Sequence, residues 1–553
     1  MIDAWRMTRS LREREAVMAL AVALPLGALL LGFYRGRQPG SRKRSMSFGS
    51  GYMSIGSWPK DIKMPDPAIT AFMFLDGIPR QADLEEACSK MLLFQNFKAL
   101  PVRRRWCFST RFDWHDIEVQ PSDVITWAKA AGSASVLAEM DRVKDTPFRQ
   151  ATFDGRSLPM WGLHVIENTA VEEAGFGTVL VFRVHHSLGD GMSMVAVSRS
   201  VLEAAGGGEV GMSFSGCRDG STAADAVVKP TNRGLSSFST AKILSGVRQV
   251  MALSTAGPDN ALPFGHFEVP LKGDGAAAAH RPQERGVLGN KRVAYSGRRR
   301  TILLPDLPLV LIKKIKDASA TTVNDVVMSL VSGCIRRHSE AQGTAPESIE
   351  GPRFQSRSLI PVALPRPSSF TTALCNKWAF VSMSLSMEES DPVTRLQKLK
   401  ATTAELKTNA AAGLQYFMQT YAMPYIPLWI CREMLYVALA KHTVTVSNVP
   451  GPQEPVKIAG IGLRKVHFAF SNVMPQVDVI SIDGKMAVNF IVDPLSVPDS
   501  QTLPTHFLDE LEALANALGV QVSEEMSHLR TQADAIAVVM EAALTAPAAS
   551  YSS

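Results

Sequence analysis

The chain has 553 residues, of which 46% are hydrophobic and 20% are charged, and its formal net charge is +6. This composition excludes a disordered or fibrous chain and predicts a globular protein large enough for two domains. The six cysteines are scattered without a C-x-x-C pair, which argues against structural zinc and a secreted disulfide framework. The positive charge lies in short clusters without a nucleic-acid-binding motif. We therefore expect attraction to anionic lipid or CoA phosphates, and no nucleic-acid partner.

An uncharged apolar run at 16–34 lies between two arginine-containing stretches near the N-terminus. Its length is just sufficient to cross a bilayer. Basic residues without acidic neighbours follow it, from Arg35 to Arg44, and favour a cytosolic location for the rest of the chain. We predict residues 1–47 to be a basic segment and single-pass anchor in the endoplasmic reticulum membrane. A signal peptide, or a transit sequence to a plastid or other organelle membrane, is the alternative.

Strands and helices alternate over the next part of the chain, which we predict as an N-terminal α/β domain at 48–205. Residues 35–60 are basic, contain glycine and serine, and are typical of a linker. Residues 69–75 predict a strand and residues 81–93 an amphipathic helix. The β-branched run 178–184 predicts a buried strand that delivers two histidines to its end.

His185 and His186 are followed by Asp190 and Gly191 in the pattern H-H-x-x-x-D-G. Chance would produce this pattern in roughly one such chain in a thousand, so the match is specific. Because strand side chains alternate, only one histidine can enter a given cleft, and we expect the other to pack or to orient the loop. A neutral imidazole there is suited to act as general base towards a hydroxyl or thiol group. A buried core histidine pair beside a turn aspartate is the alternative.

Asp190 lies too far along the turn to orient the same ring, so we expect it to bond loop amides or to pair with an arginine. Gly189 and Gly191 are expected to let the backbone turn tightly and approach a ligand. The chain has no G-x-S-x-G elbow, no phosphate-binding loop and no H-E-x-x-H zinc helix. With these catalytic motifs absent, the remaining chemistry is a base-catalysed transfer without a metal.

The composition changes after the helix that follows the histidines. Residues 206–297 are rich in glycine and alanine, and we predict a crossover linker with one helix near 240–253. A second α/β domain is predicted at 298–545, and a disordered tail at 546–553. The predicted strands of the second domain are 379–387, 443–449, 464–470, 477–482 and 485–493.

Residues 414–440 are crowded with aromatic and aliphatic side chains and are interrupted by Pro424 and Pro427. A kinked core helix is one interpretation. The other is a lipid-facing entrance, because tyrosine and tryptophan favour membrane interfaces.

Four segments carry a family resemblance in their order along the chain. They are V-H-H-S-L-G-D-G-M-S at 184–193, T-V-N-D-V-V-M-S-L-V-S-G at 322–333, N-K-W-A-F-V-S-M-S-L from Asn376 with D-P-V-T-R-L at 391–396, and T-V-T-V-S-N-V-P-G-P at 443–452 with V-P-D-S at 497–500. Together they resemble the wax ester synthase/diacylglycerol acyltransferase family, particularly its plant-type branch. Two departures are that residues 64–70 only partly resemble the family's opening P-L-S-P-x-D motif, and that Cys375 stands where the family usually has glycine.

The resemblance implies an α/β fold of two chloramphenicol-acetyltransferase-like (CoA-dependent acyltransferase) domains with a tunnel between them. It implies an O-acyltransferase that uses fatty acyl-CoA as cosubstrate, without a bound cofactor, to esterify a fatty alcohol, diacylglycerol, or both, at a lipid membrane. The family's general base corresponds to His186. Asn324, Asn376, Thr445 and Ser447 are candidate oxyanion or substrate contacts, and Asn324 is slightly favoured as a helix N-cap instead.

Two other functions stay open at this point. One is a stand-alone condensation-type acyltransferase that uses carrier-bound acyl groups. The other is a membrane-tethered lipid-binding protein with weak or lost turnover.

Overall fold

The described residues cover both predicted domains. The computed structural model describes residues 44–54, 64–106, 109–148, 152–153, 156–171, 175–205, 248–250, 257–265, 295–351, 353–364, 374–408, 410–546 and 550–551. The predicted anchor at 16–34 and most of the predicted crossover lie outside these residues.

The described residues contain twenty strands. In chain order they are β1 (Ser45–Met46), β2 (Ala68–Leu75), β3 (Ala99–Trp106), β4 (Ser109–Asp116), β5 (Ile125–Ala130), β6 (Thr152–Phe153), β7 (Arg156–Ser157), β8 (Trp161–Asn168), β9 (Thr178–His185), β10 (Leu202–Ala204), β11 (Arg300–Leu303), β12 (Leu307–Pro308), β13 (Arg357–Ala363), β14 (Trp378–Ser384), β15 (Val444–Pro450), β16 (Val456–Ile458), β17 (Ile461–Phe470), β18 (Gln476–Ile482), β19 (Lys485–Val492) and β20 (Ser550–Tyr551).

The helices alternate with these strands, so the fold is mixed α/β. In chain order they are α1 (Phe48–Ser54), α2 (Gln81–Met91), α3 (Gly132–Asp145), α4 (Gly191–Val201), α5 (Leu309–Ala318), α6 (Val323–Ala341), α7 (Pro346–Ile349), α8 (Pro392–Thr408), α9 (Ala411–Tyr421), α10 (Leu428–Ala440), α11 (Leu503–Ala517) and α12 (Ser523–Ala542). Among these helices, none alone has the length and apolar composition to span a bilayer. Helices α5 and α6 have that length and composition only when taken together, but the chain bends by 97° between them, and both contribute side chains to the core.

Two large sheets organise the molecule. The first has eight strands in the order β10-β16-β17-β2-β9-β8-β5-β20, so β9, which ends at His185, lies near its middle. The second has the order β11-β19-β18-β15-β13-β14, with β12 also paired to β19. In the second sheet, β18 and β19 form a hairpin through Asp483 and Gly484, which both adopt positive φ. A two-residue turn with that backbone twist is favoured between antiparallel strands, and Asp-Gly is a usual sequence for it.

The sheets interleave across the predicted domain boundary at residue 298. Strand β17 follows the second sheet's β15 in sequence, yet it pairs antiparallel with β2 in the first sheet, from Leu463 opposite Leu75 to Phe470 opposite Ile69. Strand β18, only a few residues later, returns to the second sheet beside β15. The predicted division into 48–205 and 298–545 therefore does not correspond to the two sheets.

Two further segments that were predicted as a disordered tail and as a linker are ordered parts of the fold. Strand β20 lies in the predicted disordered tail and pairs with β5. Residues 257–265 lie in the predicted crossover, but Leu262 and Phe264 are fully buried in the core. The buried carboxylate of Asp259 binds the Arg357 guanidinium at 2.6 Å. These contacts fix that part of the crossover on the second sheet.

Candidate active site

Strand β9 ends at His185, and His186 follows it directly; the two rings lie in different surroundings, as alternation along an extended chain predicts. His185 is 2% exposed, and its Nδ1 contacts the Ser187 hydroxyl at 2.8 Å and accepts the Ser187 amide at 3.2 Å. The ring of Phe148 packs edge-on against it. Burial lowers the pKa of His185 to about 3. His185 is therefore a neutral packing residue that holds the turn, and it is the less suitable of the two candidate catalytic histidines.

His186 lies where the two sheets meet and is only half-buried. Its ring packs edge-on against Trp378 of β14 at 6.0 Å and against Phe470 of β17 at 5.4 Å. Its Nδ1 atom is buried and has no hydrogen-bond partner among the side chains and backbone groups that the structure describes. Burial lowers the pKa of His186, and the charge of Asp190 partly opposes this effect. At neutral pH the imidazole is thus uncharged and able to accept a proton.

Asp190 caps the helix that follows the histidines. Its carboxylate accepts hydrogen bonds from the backbone amides of Ser193, at 3.0 Å, and Lys377, at 2.8 Å. The first satisfies an amide in the opening turn of α4, where a negative charge is favourable. The second ties the histidine loop to the segment before β14. These are the loop amides that the sequence position of Asp190 predicts.

A second set of bonds fastens the same two loops together. The Ser193 hydroxyl donates to the Cys375 carbonyl at 2.9 Å and accepts from the Cys375 amide at 3.2 Å. The Asp190 amide also donates to the Cys375 carbonyl. Because these bonds use only the backbone of Cys375, they do not depend on the glycine that the family usually has there.

Asn376 connects three elements around His186. Its Nδ2 donates to the His186 carbonyl at 2.7 Å and to the Ser50 hydroxyl of α1 at 2.8 Å, and its Oδ1 accepts from the indole of Trp378 at 3.3 Å. An amide nitrogen has two N–H groups. Both are used here, so Asn376 positions the histidine loop and has no donor left for an oxyanion, which differs from its predicted role.

Asn324 does not occupy the predicted N-cap position. Thr322 is the N-cap of α6 and forms a capping box with Asp325. Asn324 lies one residue inside the helix, is exposed, and accepts a hydrogen bond from Asn448 of β15 at 2.5 Å. The favoured interpretation of Asn324 was therefore wrong, because the threonine two residues earlier reaches the helix amides.

Thr445 and Ser447 lie on one face of β15, as predicted from their spacing. Their neighbours Val444 and Val446 are in the core on the other face of the strand. The buried Thr445 hydroxyl accepts a hydrogen bond from Asn472 at 3.4 Å, whereas Ser447 is half-buried. Both hydroxyls thus lie on the face of β15 opposite Val444 and Val446.

The two motif glycines are needed for different reasons, and neither has a positive φ. A Cβ on Gly189 would lie 2.7 Å from the Cβ of Ser193, so the close approach of loop and helix requires glycine. A Cβ on Gly191 would meet only Val449, at 3.9 Å. The space beside Gly191 is consistent with the predicted ligand approach, whereas the tight turn predicted for Gly189 is a packing requirement.

Sequence reasoning missed Asp478, a buried carboxyl group close to this site. It lies opposite Ser447 in the sheet register and accepts hydrogen bonds from the Gln476 side chain at 2.8 Å and the Phe470 amide at 3.3 Å. Burial raises its pKa to about 7. The signal was present in the sequence as Gln476 and Asp478, two polar residues two positions apart in the otherwise largely apolar strand 476–482.

Trp378, Phe470 and Ser50 were also missed, because no local pattern shows that they converge on His186. Within the described residues, no group of three or more histidine, cysteine or acidic side chains is arranged to hold a metal ion.

The sequence is similar to those of known acyltransferases. Residues 374–515 match the model of the WS/DGAT C-terminal domain. The wax ester synthase/diacylglycerol acyltransferase 8 of Arabidopsis thaliana is 24% identical over 390 residues, which cover 65% of this chain and 74% of that protein. A putative diacylglycerol O-acyltransferase of Mycobacterium tuberculosis is 23% identical over 378 residues, covering 65% and 68%.

Solved structures show the same fold. The wax ester synthase/diacylglycerol acyltransferase of Marinobacter aquaeolei VT8 covers 86% of this chain and 100% of its own, with a TM-score of 0.54 and 16% identity. The first condensation domain of the CDA synthetase covers 86% and 97%, with a TM-score of 0.52 and 13% identity. In its C-terminal domain and over its plant and bacterial relatives, the chain is therefore similar to the wax ester synthase/diacylglycerol acyltransferase family, and its fold resembles that of a solved member.

Proposed function

We propose that this protein transfers a fatty acyl group from acyl-CoA to the hydroxyl group of a long-chain fatty alcohol or of diacylglycerol, giving a wax ester or triacylglycerol. The names of its relatives support this class of reaction. The observation that carries the proposal is the half-buried imidazole of His186 at the junction of the two sheets, with a pKa lowered by burial. An uncharged imidazole in such a place can act as general base.

In the proposed reaction, His186 accepts the hydroxyl proton while the hydroxyl oxygen attacks the thioester carbonyl. The C–O bond forms, the C–S bond then breaks, and the proton passes from His186 to the departing CoA sulfur. The negative charge on the carbonyl oxygen of the intermediate needs preorganised hydrogen-bond donors. Thr445 and Ser447 are our candidates, because Ser447 lies opposite Asp478 in the sheet, Asp478 accepts from the Phe470 amide, and Phe470 packs against His186.

Asp190 and Asn376 contribute by positioning. The carboxylate of Asp190 holds the start of α4 and the segment before β14, and Asn376 holds the carbonyl of His186 itself. Both act through the backbone of the loop that carries the base, so neither needs to touch a substrate. Their loss is expected to displace the imidazole rather than to remove a reacting group.

We also propose that the site is a tunnel between the two halves, with acyl-CoA entering from one side and the lipid acceptor from the other. The fold likeness to an acyltransferase and to a condensation domain supports this arrangement. The N-terminal anchor and the endoplasmic reticulum location stay predictions, since residues 16–34 lie outside the described part of the chain.

The test is expression in a host that makes no neutral lipid, supplied with fatty alcohol or diacylglycerol. Wild type should form wax ester or triacylglycerol, and His186→Ala should lower the product by about 10²-fold or more while remaining folded. His185→Asn is the matched control, because it changes the adjacent ring but keeps an acceptor near the position of Nδ1; it should retain activity. Equal product from wild type and His186→Ala would contradict the assignment of the base.

Two other outcomes correspond to the alternatives. Turnover of purified protein with acyl groups on a carrier protein, but not with acyl-CoA, would indicate a condensation-type enzyme. Vesicle binding without any ester from wild type would indicate a lipid-binding protein.

A further inference from the structure

The run 414–440, with its neighbours, folds as two helices that present an aromatic surface to solvent. Helices α9 and α10 are joined by a short 3₁₀ turn at Met423–Tyr425, and we call residues 411–440 the aromatic hairpin. Tyr421, Tyr425 and Trp429 are 54%, 49% and 49% exposed. Among the described residues, every exposed large hydrophobic side chain that is aromatic belongs to this group of three.

The opposite face of the aromatic hairpin belongs to the core. Ile426, Leu428 and Cys431 are buried in one apolar cluster, and Tyr436 is fully buried in another. The kinked core helix and the exposed aromatic surface are therefore two faces of one element. The inner face fixes the element, which leaves the outer aromatic side chains free to contact something outside the protein.

Charge is excluded from the aromatic surface and concentrated at its ends. No charged residue occurs at 408–431; Glu405 and Lys407 precede this stretch, and Arg432 and the buried Glu433 follow it. A protein surface that only faces water normally carries charged side chains. An uncharged surface of tyrosine and tryptophan is complementary to the headgroup region of a bilayer.

The aromatic hairpin also contacts the strand that supports His186. The side chain of Gln415 in α9 accepts a hydrogen bond from the Phe380 amide of β14. The ring of Phe380 packs against Trp378 at 4.8 Å, and Trp378 packs against His186. The exposed surface thus belongs to an element that lies next to β14, on which one side of the candidate active site is built.

We propose that the aromatic hairpin docks on the surface of a lipid bilayer, with Tyr421, Tyr425 and Trp429 in the headgroup region, and that the lipid acceptor enters the enzyme beside it. The role of this docking in catalysis rests on the proposed function, because the proposed acceptors, fatty alcohol and diacylglycerol, dissolve in the bilayer rather than in water. Its evidence is independent: exposed aromatic side chains, a stretch without charge, and a buried inner face that holds the surface in place.

The first measurement is hydrogen–deuterium exchange of the full-length protein with and without vesicles of phosphatidylcholine and phosphatidylserine. Peptides covering 411–430 should exchange several-fold more slowly with vesicles. In the variant Tyr421→Ser/Tyr425→Ser/Trp429→Ser this protection should disappear, although the N-terminal run is unchanged and can still hold the chain on the vesicle. Absence of vesicle-dependent protection in wild type would overturn the proposal. Protection that grows with protein concentration without vesicles would overturn it in favour of a second copy of the chain.

The second measurement separates docking from chemistry. The triple variant should lose about tenfold or more of its rate on diacylglycerol in vesicles. It should keep its rate on a short-chain, water-soluble alcohol. The control variant Leu93→Ser/Val310→Ser/Val538→Ser removes three exposed apolar side chains elsewhere and should match wild type on both acceptors. Equal losses on both acceptors would contradict docking, whereas an inactive wild type would contradict the proposed function and leave the exchange result to decide docking.

Discussion

Asn376 donates a hydrogen bond of 2.7 Å to the main-chain carbonyl of His186, across 190 positions of sequence. The bond joins the loop before β14 in the second sheet to the end of β9 in the first. The candidate base is therefore held by both halves of the molecule, and its position depends on how they pack together.

Replacing Asn376 should misplace the base. In Asn376→Ala the His186 carbonyl and the Ser50 hydroxyl lose their donor, which we expect to lower the free energy of unfolding by about 1–3 kcal/mol. The ester-forming kcat should fall as well, because the loop is no longer fixed. Urea unfolding and product formation measure the two effects. Gln81→Ala, which removes an exposed amide bonded to Glu85, is the control and should change stability by no more than about 0.5 kcal/mol. An unchanged kcat in Asn376→Ala would refute the positioning role.

Replacing Asp190 should shift the pH dependence of catalysis. The negative charge of Asp190 raises the pKa of His186 against the effect of burial. In Asp190→Asn the pKa of His186 should fall further, and because a general base acts in its neutral form, the acid side of the kcat/KM profile should move to lower pH. Asp391→Asn is the matched control: Asp391 accepts the Thr394 amide at the start of α8, but it is not among the groups that act on the pKa of His186. An acid limb that stays in place or moves to higher pH contradicts the prediction.

His185 should make the fold sensitive to acid. Its pKa is about 3 in the folded protein, against an ordinary value of 6.5. Between these values the unfolded chain binds more protons, so stability is full above pH 6.5 and falls as the pH is lowered. At pH 5 this loss amounts to about 2 kcal/mol for one histidine. His185→Asn should therefore lose less stability than wild type between pH 7 and pH 5 in urea titrations. Identical pH dependence of the two proteins would show that His185 is not held neutral.

Asp478 should make the folded protein less stable as the pH rises, which is the opposite of the effect of His185. Burial raises its pKa to about 7, from an ordinary 3.8. The folded protein binds more protons between these values, so the contribution of Asp478 to stability is greatest at low pH and is lost as the pH rises to about 7. From pH 5 to pH 8, the stability of Asp478→Asn relative to wild type should increase by about 3 kcal/mol. Comparing the two proteins at each pH cancels the other titrating groups. A difference that does not vary with pH would contradict the prediction.

Strands β14, β15, β18 and β19 of the second sheet were predicted from local sequence, whereas β11, β12 and β13 were not. The strand predicted at 477–482 corresponds to Gln476–Ile482, and the one predicted at 443–449 to Val444–Pro450. Runs of β-branched residues between turn residues carry that information within a few positions. The histidine turn was equally local, since alternation alone assigned His185 and His186 to different faces.

The remaining features depend on long-range contacts that no local pattern contains. That β17 joins the first sheet follows from its pairing with β2, nearly four hundred positions earlier. The role of Asn376 could be recognised only once the position of the His186 carbonyl was known. Several neighbouring polar residues could have capped α6, and the geometry of Thr322 decided which of them does. Residue type identified the candidate base, but only the packing of the two halves identified what surrounds it.

The pairing of β17 with β2 also constrains how the enzyme can move. A hinge that opened the cleft by separating the halves would have to break the hydrogen bonds between Leu463–Phe470 and Ile69–Leu75 in the middle of a sheet. Such a motion amounts to partial unfolding and is far too costly to accompany every turnover. For the proposed reaction we therefore expect substrates to enter and product to leave along the seam between the sheets, through shifts of side chains and loops rather than by a hinge.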